Sequence, residues 1–67
     1  MRKIRFTKHA LQRARERKLW KYVSKDKFWF DAEFVDSNKA KIDNCLYIYV
    51  DSKNEIVIKT MYTLAFP

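Results

Sequence analysis

The sequence predicts an α+β domain, with one or two N-terminal helices packed on an antiparallel sheet of three to four strands. Three observations predict it. Residues 8–18 are strong helix formers without a β-branched member. From residue 28 onward, apolar side chains recur with a period of two in three runs. Polar segments, Asp36-Ser37-Asn38-Lys39 and Asp51-Ser52-Lys53-Asn54, separate those runs as turns. The 67 residues read as one domain, 1–67, with no repeat, linker or low-complexity stretch.

The first element is a short lead-in strand, in which Arg2, Ile4 and Phe6 alternate with Lys3 and Arg5. Thr7 is a good N-cap for the helix that follows. Phe6 and Leu11 then occupy the N′ and N4 positions of a hydrophobic staple, while Ala10 at N3 leaves no capping box. The apolar stripe is thin (Ala10, Leu11, Ala14), and its two alanines let the helix approach a sheet closely. Residues 19–27 are ambiguous: Leu19, Trp20, Val23 and Lys27 fit a second short helix, with Leu19, Trp20, Tyr22 and Val23 as its hydrophobic content. Lys18 stands where a glycine would end the first one, so a kink is expected there rather than a Schellman stop.

The first long strand is expected over residues 28–35, where Phe28, Phe30, Ala32 and Phe34 alternate with Trp29, Asp31, Glu33 and Val35. The second runs from Ile42 to Val50, with Leu46, Ile48 and Val50 opposed to Cys45, Tyr47 and Tyr49. Asn54 suits a left-handed turn position. The last strand covers Glu55 to Leu64. A strict alternation puts Ile56, Ile58, Thr60, Tyr62 and Leu64 on one face and Val57, Lys59, Met61 and Thr63 on the other.

Composition bounds the function. The formal net charge of +7 favours an anionic partner, nucleic acid first, because cations that neutralise phosphates release counterions. Hydrophobic residues make up 48% of the chain, which argues against disorder. Eleven aromatic residues (five Phe, four Tyr, two Trp) supply bulk to a domain too small to bury more than about 60% of its unfolded surface. The single cysteine, Cys45, excludes an intrachain disulfide and a thiolate zinc site, and reads as a core residue. Glycine is absent, which excludes a Walker A loop and a dinucleotide fingerprint. No run of about 18 apolar residues is present, and the charged N-terminus has no leader signature, so the cytoplasm is expected, with no membrane contact. No cofactor or metal ligand set is visible.

The stretch Phe6-Thr7-Lys8-His9-Ala10-Leu11-Gln12-Arg13-Ala14-Arg15-Glu16-Arg17 holds the only histidine. At N2, His9 lies beside free backbone N–H groups and the positive end of the helix dipole, which favour a neutral imidazole able to act as a general base. Arg13 is its i+4 neighbour and Arg17 continues the row. A helix N-terminus, an imidazole and two guanidiniums can hold a phosphate and stabilise charge developing on it. The same spacing fits a solvated basic helix in which Arg13 and Arg17 pair with Glu16 and sheet carboxylates. Lys8 and Arg15 fit a solvated face or backbone contacts to nucleic acid.

That opening resembles a family of small bacterial toxin-like domains, distant relatives of the RelE/ParE and BrnT toxins in the barnase, colicin and RelE ribonuclease fold group. The matching residues are Phe6, Thr7, His9, Ala10, Arg13, Glu16 and Arg17. The last strand, Val57-Ile58-Lys59-Thr60-Met61-Tyr62, is similar to the family's closing strand, with Lys59 as an insertion or substitution. The order of elements also fits. The family commonly has glycine where this chain has Lys18, and a longer segment before the first strand.

The resemblance implies metal-independent endoribonuclease activity of the mRNA interferase type. His9 would be the general acid or base, Arg13 and Arg17 would hold the phosphate, and Thr60 and Tyr62 would orient phosphate or ribose. Lys8, Arg13, Arg15, Arg17 and Lys59 are the nucleic-acid contacts on this reading. Attack by the 2′-hydroxyl would leave a 2′,3′-cyclic end. RNA and an acidic antitoxin protein are the implied partners. Two other readings stay open: a non-catalytic nucleic-acid-binding module, with Tyr47, Tyr49, Trp29 and Phe30 as stacking platforms, and a protein-interaction module or homodimer formed through an aromatic sheet face. Thr60 and Tyr62 also fit packing at the core edge.

Overall fold

The computed structural model describes residues 3–64 and is an α+β fold. In chain order the elements are β1 (Lys3–Phe6), α1 (Lys8–Glu16), β2 (Glu33–Asp36), β3 (Lys39–Ile42), β4 (Cys45–Asp51) and β5 (Glu55–Thr63). Between α1 and β2 lie a 3-10 turn at Trp20–Tyr22 and a π-helical turn at Lys27–Asp31. The sheet has five strands in the order β1-β5-β4-β3-β2. It is mixed, because β1 runs parallel to β5 while the other neighbours are antiparallel.

Five strands stand where three to four were expected. The lead-in segment joins the sheet, pairing Ile4 with Ile56 and Phe6 with Ile58. The run from residue 42 to 50 is divided by a tight turn at Asp43-Asn44, which pairs Ile42 with Cys45. Asp43 takes φ 52°, the left-handed conformation assigned above to Asn54. An Asx side chain tolerates that conformation better than most residues. Of the lead-in residues, Arg2 lies outside the described residues.

The segment 28–35 is the largest departure. Ser24 caps a helical turn: its hydroxyl accepts from Lys27 N–H at 3.2 Å, and its carbonyl accepts from Phe28 N–H at 3.1 Å. The coil then continues to Asp31, and extended backbone begins only at Ala32. The turn drives Phe28 into the core, fully buried, and leaves Phe30 71% exposed. An alternating strand would have put both on one face. Phe28 is the hub of an aromatic cluster, meeting Tyr47, Tyr49 and Phe34 edge to face at centroid distances of 5.0, 5.5 and 5.6 Å.

Helix α1 starts as the sequence predicts. The Thr7 side chain accepts from Ala10 N–H at 3.1 Å, and Ala10 and Ala14 are fully buried. Its end differs from the expected kink. Lys18 adopts φ 57°, Leu19 N–H reaches the Ala14 carbonyl at 2.7 Å, and Lys18 N–H reaches that of Arg15 at 3.3 Å. This is a Schellman stop made without glycine, closed by the buried pair Ala14 and Leu19.

The face covered by the helical segments carries Tyr47 and Tyr49 of β4, both buried. The Tyr47 hydroxyl donates to the Tyr22 carbonyl at 2.7 Å, which ties the 3-10 turn to the sheet. The strand tyrosines are therefore core, and neither base stacking nor an aromatic sheet interface is open to them. The opposite face carries a central aliphatic strip, Leu46, Ile48, Val50 and Val57, flanked by charged residues, Lys3 and Arg5 on β1 and Lys39, Lys41 and Glu33 on β3 and β2.

Candidate nucleic-acid interface

The sequence-predicted site residues lie on α1 and β5, and a bulge decides how the two elements meet. Ile48 pairs with Thr60 while the next residue, Tyr49, pairs with Ile58, so Lys59 is an extra residue in β5. The bulge shifts the side-chain phase. Ile56 and Ile58 share the core face with Met61, and Thr60 and Tyr62 move to the opposite face beside Ile48 and Leu46. The strict alternation that put Thr60 and Tyr62 with Ile56 and Ile58 is overturned by this one residue.

Below the bulge, β5 pairs with β1. Above it, α1 takes over the same edge through side chains. The Thr7 N–H donates to the Ile58 carbonyl at 3.1 Å, and its hydroxyl donates to that of Lys59, also at 3.1 Å. At the far end of α1, Arg17 Nη1 donates to the Met61 carbonyl at 2.8 Å. The Arg17 guanidinium also sits 4.9 Å from the centre of the Tyr62 ring, a cation–π contact. Arg17 and Tyr62 are thus brought into contact, with Tyr62 still 45% exposed.

His9 and Arg13 form the other half of the row. Arg13 Nε donates to His9 Nε2 across 3.4 Å, a long hydrogen bond. Arg13 is also engaged by Glu16, whose Oε1 lies 2.6 Å from Nη1. That hydrogen bond is the main cause holding the Glu16 carboxyl below its ordinary value, with a further hydrogen bond from Gln12. His9 is exposed and Arg13 half-buried. A phosphate arriving here meets an imidazole nitrogen and a guanidinium, and must compete with one carboxylate.

Thr60 behaves differently from the other candidates. Its hydroxyl is buried and makes no hydrogen bond, so in this conformation it does not reach a ligand. Lys8 and Lys59 are exposed where the start of α1 meets the bulge. Arg15 is exposed on another side of α1, with its guanidinium 4.9 Å from the centre of the Trp20 ring. Of the proposed stacking residues, Phe30 is exposed and Trp29 packs partly against the core.

Two features of the site were hidden in the sequence. Alternation alone does not reveal the bulge, since Val57 to Tyr62 reads as unbroken strand; its one signal is that Lys59 stands as an insertion or substitution in the resemblance to the toxin-like closing strand. The anchoring of Arg17 to a strand carbonyl depends on tertiary placement alone. Among the described residues, no three His, Cys, Asp or Glu side chains converge as a metal site, and no helix is long and apolar enough to cross a membrane. No protein-family model, curated protein or solved structure matches the chain.

Proposed function

We propose that this protein is a toxin-like RNA-processing domain, a metal-independent endoribonuclease that works in the cytoplasm through the α1–β5 face. The observation that carries the reading is the joint placement of His9 with Arg13 and of Arg17 with Tyr62, at the two ends of one helix that lies along one strand. The resemblance of the opening stretch to RelE/ParE- and BrnT-type domains supports the same reading.

In the proposed reaction the scissile phosphate draws Arg13 away from both His9 and Glu16. That frees the His9 Nε2 lone pair. His9 takes the proton of the 2′-hydroxyl, the 2′-oxygen bonds to phosphorus, and the bond from phosphorus to the 5′-oxygen breaks. The proton on His9 passes to the departing 5′-oxygen. Atoms and charges balance, and the products are a 2′,3′-cyclic phosphate and a 5′-hydroxyl. Arg13 neutralises charge developing on the phosphoryl oxygens. Arg17, anchored by β5, holds the Tyr62 ring as a platform for an adjacent base or ribose. Lys8, Arg15 and Lys59 add contacts to neighbouring phosphates.

A second reading, a non-catalytic RNA-binding module, is favoured by the Arg13–Glu16 pair and by the buried Thr60 hydroxyl. On either reading an acidic antitoxin-like protein is a partner suited to the basic helix. The two separate in one experiment: purified protein is incubated with mixed RNA in EDTA and the product ends are analysed. Cleavage with cyclic phosphate ends is expected from the nuclease. Intact RNA bound with a steep salt dependence would establish the binding module instead.

A further inference from the structure

The two edges of the sheet match each other. Each is a four-residue strand with no described neighbour on its outer side. On β1, the Lys3 and Thr7 N–H groups go to the Asn54 and Ile58 carbonyls of the β5 side. By alternation, the N–H groups of Ile4 and Phe6 point away from the sheet. At the other end, three of the six exposed large apolar residues, Phe30, Phe34 and Val35, cluster at the β2 edge. Among them stand Asp31, Glu33 and Asp36, an acidic patch on a chain of net charge +7.

The inner side of β2 already shows what sequence it accepts. There β3 reads Lys39-Ala40-Lys41 and pairs Lys41 with Glu33, Ala40 with Phe34 and Lys39 with Asp36, Val35 being bulged out. The β1 strand reads Lys3-Ile4-Arg5, the same basic–apolar–basic pattern. Its faces agree as well. Ile4 pairs with buried Ile56 and so shares the core face with Phe34, whereas Lys3 and Arg5 share the open face with Glu33 and Asp36.

We propose that the protein self-associates edge to edge, β1 of one copy adding to the outer side of β2 of the next. Strand directions permit it. From β1 the strands run up, up, down, up and down, so the β2 of one copy is antiparallel to the β1 of a copy in the same orientation. Arg5 of one copy then faces Glu33 of the other, Ile4 faces Phe34, and Lys3 faces Asp36. Charge alternates across the junction from Lys39 to Asp36 to Lys3 of the next copy and on to its Glu55. Like edges reject each other: a two-fold β2 pairing sets Glu33 against Asp36, and a β1 pairing brings the cations of both copies together. The contact is heterologous, so copies add in a row unless the sheet twist closes a ring.

Sedimentation velocity over a concentration series tests this on the full chain with two double variants, Lys3→Glu with Arg5→Glu and Glu33→Lys with Asp36→Lys. The wild type is expected to show mass rising with concentration and falling with added salt. Each variant alone stays monomeric with native far-UV circular dichroism, and the mixture of the two associates again. If a double variant loses its native spectrum, the exposed single changes Lys3→Glu and Glu33→Lys replace it. A wild type that is monomeric throughout, a variant that associates alone as the wild type does, or a mixture that fails to associate would each overturn the proposal.

Discussion

The aromatic cluster around Phe28 and the helix–strand junction at Thr7 and Arg17 hold the same sheet by opposite means. At the first, rings meet edge to face around a fully buried Phe28, and Tyr47 spends its hydroxyl on a backbone carbonyl. At the second, polar side chains hydrogen-bond the exposed edge of β5, and one of them rests on a half-exposed ring. Burial of large rings gives most of the energy available to so small a chain. The junction adds little to that, since exposed charges contribute little to stability. Its groups are instead held in place and left reachable. The bulge at Lys59 contributes to this difference by turning Tyr62 to the face opposite the buried Met61, where Arg17 meets it.

The sharpest way to break this division is Phe28→Ala. Removing the hub ring should cost about 3–5 kcal/mol, which chemical denaturation would read as unfolding or as a large fall in the midpoint. A loss below about 1 kcal/mol would mean that the cluster is not the main support.

Alkaline pH probes the same region. Burial pushes the Cys45 thiol up to about 12 and the Tyr47 phenol well above its usual value. Both groups are neutral in the fold and titrate at lower pH once unfolded. Their contribution is complete below the unfolded values and is lost as pH rises through the folded ones. The melting temperature should hold steady up to about pH 9 and fall beyond it. Cys45 should meanwhile resist thiol reagents until the protein unfolds.

Two smaller changes test the junction side. Lys18→Gly relieves a left-handed residue in the Schellman stop and should stabilise the protein by roughly 0.5–1 kcal/mol in a thermal melt. Glu16→Gln frees Arg13 from its carboxylate. It should raise RNA affinity a few-fold in a filter-binding titration while leaving the melting temperature nearly unchanged. An affinity that falls would show that Glu16 orients Arg13 rather than competing for it.

The sequence made the α1 side legible and obscured the middle of the chain, for physical reasons. Thr7 and the run of strong helix formers after it are local signals, and local interactions decide that helix. The class, α+β, followed from that helix and from the period-two pattern of β4 and β5. Residues 28–35 misled because alternate phenylalanines satisfy a strand pattern equally well, and the Ser24 cap that turns them into a coil is a single polar side chain. Asp43-Asn44 is a turn inside a run that reads as extended, and the short run Lys39-Ala40-Lys41 before it, with one alanine between two lysines, is too polar to signal the strand it forms. For the candidate site, the His9 and Arg13 spacing is set by the helix and was readable. The partnership of Arg17 with Met61 and Tyr62 was not, because it depends on an inserted residue in a strand far away in the chain.

The most direct test follows both properties in one variant. His9→Ala should keep the thermal melt and spectrum of the wild type, because His9 is exposed and no part of the aromatic core. It should lose cleavage of mixed RNA in EDTA, where the wild type leaves cyclic phosphate ends. Cleavage retained at the wild-type rate by a folded His9→Ala protein would contradict the account.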